Sequence, residues 1–117
     1  MSRVSEFIPT RLGLVLVLFG LTGCNMSNGW MANNEGVSAY KQGNYTLARN
    51  AFHRAAIDHP ENTNYQYNLA MAMQKQGFAG AEQQLRQTLN KRPDHQPSNH
   101  GLAEILNKQG RSAEALS

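Results

Sequence analysis

Few side chains in this sequence could do chemistry, and one stands apart. Cys24 is the only cysteine among 117 residues. A single thiol cannot close an intrachain disulfide, and in an exported chain it calls for an explanation. The residues before it point to export. Arg3 and Arg11 give a basic start that Glu6 weakens, residues 12–21 read LGLVLVLFGL, and the small Thr22 and Gly23 precede Cys24. Basic, then apolar, then small is the order of a secretory signal peptide. The apolar run is too short for a permanent spanning helix, which needs about 20 residues. The other candidates are weaker. His53, His59, His95 and His100 contain no close helical pair of the kind zinc uses, and Pro97 breaks the stretch between the last two. The serines lack a nucleophile-elbow context, and the glycines are spaced by helix turns rather than gathered in a phosphate loop. The expectation is a non-catalytic chain with no metal site.

The four residues Leu21-Thr22-Gly23-Cys24 resemble the lipobox of bacterial lipoproteins. That resemblance implies a diacylglycerol on the Cys24 sulfur, cleavage before Cys24, and an added N-acyl chain. No other cofactor is expected. Two or more acyl chains give stable membrane anchoring where one gives marginal binding. The chain then divides into a signal peptide at 1–23, a lipidated tether at 24–30 and a folded domain at 31–117. In Gram-negative lipoproteins, Asp directly after the cysteine signals inner-membrane retention. Asn25 stands there, which implies the outer membrane, facing the periplasm. Trp30 has two readings: packing on the first helix pair, or resting at the membrane interface as amphipathic rings can. The net charge of +3 points to no particular partner, and export excludes nucleic acid.

The elements that would position a binding surface come from an internal repeat. Lys-Gln-Gly recurs at 41–43, 75–77 and 108–110, so the glycines stand 34 and 33 residues apart. Pro60 and Pro93 stand 33 apart. Ala48 and Ala81 follow the first two glycines, and Phe52 and Leu85 come four residues later. Glycine closes a helix where a left-handed residue is needed, small alanines let helices approach, and proline stops a helix. Apolar residues at steps of three and four, such as Tyr65, Leu69, Ala72 and Met73, form packed helical stripes. Helices are expected at about 31–42, 45–58, 63–76, 79–91 and 97–109, with a last one starting near Ser112. Nothing reads as a strand.

A period near 34 with these residues resembles the tetratricopeptide repeat, two antiparallel helices per unit. The resemblance implies an all-α fold: a short solenoid of about two and a half repeats at 29–62, 63–95 and 96–117, the last incomplete. Two departures are visible. Glu35 stands where leucine is usual, and the second unit is one residue short between Gly77 and Ala81. Helix 97–109 would act as a C-terminal cap, with Leu102, Ile105 and Leu106 inward and Lys108 outward, or leave an edge that docks a partner or a second copy.

By the family's register, the first helix of each unit lines a concave groove that receives peptides. Asn33, Asn34, Val37, Tyr40 and Lys41 would face it from the first unit. Asn64, Tyr67, Asn68, Met71 and Lys75 would do so from the second, and His100, Glu104 and Lys108 from the third. Asn34 and Asn68 are equivalent, and an amide can both donate to and accept from a ligand backbone. These residues serve as ligand contacts or simply as exposed surface. Asn33 and Gly101 stand where chaperone-binding relatives place cations, so no carboxylate clamp is expected. The implied function is a membrane-tethered adaptor for cell-envelope proteins. It is similar in architecture to tight-adherence (Flp) pilus assembly lipoproteins and type IV pilus pilotins. The alternative is a structural envelope lipoprotein that self-associates weakly.

Overall fold

A computed structural model describes residues 28–116, which form six helices and no strand. Helix α1 covers 28–41. It is followed by α2 (Tyr45–Asp58), α3 (Thr63–Lys75), α4 (Gly80–Lys91), α5 (Gln96–Lys108) and the short α6 (Ser112–Ala115). Each helix packs on the next, and α5 also reaches back to α3. This is the expected short solenoid of antiparallel helix pairs. None of the described helices is long and apolar enough to cross a membrane.

The three Lys-Gln-Gly tripeptides close three helices in the same way. Gly43, Gly77 and Gly110 have φ of 77°, 75° and 74°, a left-handed conformation that glycine adopts without a Cβ penalty. Two backbone bonds complete each closure. Gly77 N–H donates to Gln74 at 3.0 Å and Phe78 N–H to Met73 at 3.0 Å. Gly43 and Asn44 repeat the pair on Tyr40 and Ala39, and Gly110 and Arg111 on Asn107 and Leu106. This double bond satisfies carbonyls that a helix end leaves without partners.

The second helix of each pair stops differently. α2 and α4 end just before Pro60 and Pro93, where proline restricts the preceding residue to extended backbone. The proline carbonyls then become anchors. Pro60 accepts from Gln66 Nε2 at 2.6 Å and from Lys91 Nζ at 3.1 Å. Pro93 accepts from Asn99 Nδ2 at 3.0 Å, so the repeat extends to a turn contact that periodicity alone did not reveal.

The core alternates small and large side chains. Ala39, Ala48, Phe52, Leu69 and Ala72 form one buried cluster, and Ala70, Ala81, Leu85 and Ile105 a second, bridged by Met73. Gly36 lies directly on the Phe52 ring. Ile105 and Leu106 are buried and Leu102 half-buried, whereas Lys108 is exposed, the orientation expected of α5. Two expectations shift. Residues 28–30 already belong to α1, so the tether drawn at 24–30 gives up its last three residues to the helix. Trp30 does not pack on the first helix pair: it stays 62% exposed, because Ala32 and Ala39 occupy the buried stripe of α1. The signal peptide and Cys24 lie outside the described residues.

Candidate functional site

The concave face is built from α1 and α3, with α5 behind them. Val37, Tyr40 and Lys41 from α1 and Tyr67, Asn68 and Met71 from α3 surround a cleft of about 240 Å³, with Phe52 of α2 also in its lining. All six first-helix residues are among those that the family register assigns to a groove. Phe52 also reaches the cleft, which nothing in its spacing signals. Asn34, although equivalent to Asn68, is exposed and outside this lining. Lys75 is also exposed and stands apart from it.

Local contacts fix the lining. Asn68 Nδ2 donates to Asn33 Oδ1 at 2.9 Å, which ties α3 to α1 across the groove. Tyr40 meets Tyr45 edge-on at 5.2 Å between ring centres. Gly101 on α5 is buried, and a Cβ there would fall 3.0 Å from Met71 Cε and 3.5 Å from Tyr67. The missing side chain thus lets Tyr67 and Met71 lie close against α5.

The electrostatics separate a neutral half from a charged rim. Burial raises the Tyr40 phenol above its ordinary value, with Tyr45, Tyr67 and Glu104 adding to the shift. Tyr40 is therefore a neutral hydrogen-bonding group at physiological pH. Glu104 binds Lys108 at 2.7 Å. That hydrogen bond and charge, with His100 and Lys75 contributing less, hold its carboxyl below the usual carboxylate range. The ionised Glu104, paired with Lys108, places a negative charge near enough to raise the Tyr40 phenol.

Asn64 has a different role from the one expected. Its Oδ1 accepts from His95 Nε2 at 2.8 Å. His95 Nδ1 in turn accepts from the Ser98 backbone N–H at 3.3 Å and lies 2.7 Å from Ser98 Oγ. His95 therefore caps α5 as a neutral imidazole carrying its proton on Nε2. It is buried, and its value is lowered mainly by that burial, with Arg92 adding to the effect and Asp94 opposing it. The missed signal was the register. His95 stands 33 residues after Asn62, which caps α3 through its own side chain.

No three His, Cys, Asp or Glu side chains are grouped as a metal ion would require among the described residues. Comparison with known families matches about a third of the chain. Residues 33–73 match the tetratricopeptide repeat family. The matched stretch runs from Asn33 through the first helix pair to Met73, and so contains every residue that lines the cleft. Tetratricopeptide repeats are typically non-catalytic modules for protein–protein interaction. No curated protein matches the chain.

Proposed function

We propose that this chain is a lipid-anchored adaptor whose repeat groove holds an extended segment of another cell-envelope protein. The cleft between α1 and α3 carries the reading. Its volume of about 240 Å³ is below the roughly 300–1,000 Å³ of a small-molecule pocket, and suits one large apolar side chain. Val37, Phe52, Tyr67 and Met71 supply the apolar lining. The Tyr40 and Tyr67 hydroxyls and the Asn68 amide offer hydrogen bonds to backbone, and Lys41 at the edge favours an acidic neighbour in the ligand.

The lipobox resemblance at Leu21–Cys24 supports the anchor, and Asn25 supports the outer membrane. Pilus or secretion-system assembly is the narrower proposal, resting on the pairing of a lipobox with these repeats. Pull-down of the acylated protein from envelope extracts tests the adaptor. Wild type should enrich specific proteins that Lys41→Glu and Met71→Glu release, with helical content unchanged. Recovery of nothing above background, or of the same set with both variants, refutes the groove. Cys24→Ser should abolish palmitate labelling and membrane association, and retained labelling overturns the anchor.

A further inference from the structure

The end of the first helix pair that stands nearest the proposed anchor is also its most apolar exposed surface. Trp30, Met31 and Ile57 are 62%, 58% and 63% exposed. Met31 and Ile57 line one cleft, from the start of α1 and the end of α2, with Asn28, Ala32, Glu35, Arg54 and Asp58 around them. Gly29 packs on His59, which holds these two helix ends together. Three large apolar side chains thus stand exposed at one end of the helix pair, and none of the described residues covers them.

We infer that this end of the domain, Trp30 with Met31 and Ile57, seats in the lipid interface beside the acylated Cys24. The inference rests on the anchor reading above. Chain length argues for lipid as the occupant. Three residues separate Cys24 from Asn28, four chain steps with a reach of at most about 14 Å, so acyl chains in the bilayer hold the start of α1 at its surface. Tryptophan and long apolar side chains favour that interface, where a ring can bury its body and keep its N–H wet. The charges argue for an apolar seat rather than an electrostatic one. The cleft's single basic residue, Arg54, is engaged by Glu35 at 2.5 Å, and Asp58 adds negative charge. Anionic lipid should therefore give no advantage.

The seat also has a geometric consequence. Trp30 shares α1 with Val37, Tyr40 and Lys41, two to three turns further along. Fixing the start of α1 in the interface fixes the height at which the groove is presented, where a lipid tether alone leaves the domain free to swing.

Trp30 is the only tryptophan, so its fluorescence reports this site without ambiguity. The full acylated protein is reconstituted in phosphatidylcholine vesicles with and without brominated acyl chains, and the mass of the Cys24 peptide is measured in the same sample. The expected result is a blue-shifted Trp30 emission, relative to soluble Cys24→Ser protein, that is strongly quenched by the bromines. Added anionic lipid should leave the quenching unchanged. Met31→Asp combined with Ile57→Asp should diminish the quenching while Cys24 stays acylated and helical content is kept. An acylated Cys24 with unquenched, unshifted Trp30 overturns the seat and leaves the anchor standing. An unmodified Cys24 overturns the anchor and, with it, the seat.

Discussion

Histidine 95 carries more of the structure than its sequence context suggests. Its ring accepts from the Ser98 backbone, donates to Asn64 and meets Tyr67 edge-on at 6.0 Å, so one side chain joins α5 to α3. The neutral form alone can do this, because a second ring proton would remove the acceptor that caps α5. The folded value is lowered from 6.5, so as pH falls below about 6.5 the unfolded chain takes up a proton that the folded chain refuses. Stability must then fall with pH, from just above 6.5 down to the folded value, and level off below it. Thermal unfolding from about pH 7.5 to about pH 5.5 should show a steeper loss for wild type than for His95→Asn, which keeps a cap without the titration. Equal slopes would remove His95 as the cause. His95→Ala should cost about 1–2 kcal/mol at neutral pH, the scale of a lost N-cap. The register with Asn62 signals the cap, but the bond to Asn64, 31 residues away, was not legible in the sequence, and histidine is not among the usual capping residues. Tyr67 and Met71 were legible, because the repeat register alone assigns them to a face.

At the scale of the element, helix closure was the clearest sequence signal and the structure gives it a uniform cause. All three Lys-Gln-Gly glycines are left-handed and nothing lies within 4 Å of a Cβ built on Gly77. The cost of a side chain there is therefore backbone strain alone. Gly77→Ala should destabilise by about 1 kcal/mol, and Gly77→Asn by less, since asparagine tolerates the left-handed region. Urea unfolding of the two variants checks this, and an alanine variant as stable as wild type would show that the closure relaxes. Helix starts were less legible. Asn44 caps α2 by accepting from Leu47 N–H at 3.2 Å, but α4 begins after Ala79, which is already helical and has no side chain to cap with. That is where the second unit is one residue short. The shortening leaves Phe78 46% exposed, with the Arg49 guanidinium 4.6 Å from its ring centre. A count of residues shows the deletion but not that a cation covers the aromatic.

The molecule as a whole is a line of helices in which each depends on its neighbours, so stability should vary along it. Helix α3 lies between α2 and α4 and also touches α5, whereas α6 has only four residues and none is buried. Charge holds that end. Arg111 meets Glu82 at 2.9 Å and Glu114 at 2.7 Å, and Arg86 meets Glu82 at 2.9 Å and Glu114 at 3.4 Å. Two cations alternate with two carboxylates and tie α6 to α4. Hydrogen bonds to Arg111 are the main cause holding both carboxyls below their usual range. Arg86 and Glu114 are exposed and Arg111 and Glu82 half-buried, so salt should screen the network and its effect should stay local. Arg111→Ala should speed amide hydrogen exchange in α6 and at the end of α5 while leaving α3 unchanged, and high salt should do the same to wild type. Global unfolding should barely move, because the buried contacts of Leu85 and Ile105, rather than the ion pairs, join α5 to the preceding helices. A uniform rise in exchange across all helices would instead mean that the solenoid unfolds as one cooperative unit, and that the charge network supports the groove from a distance.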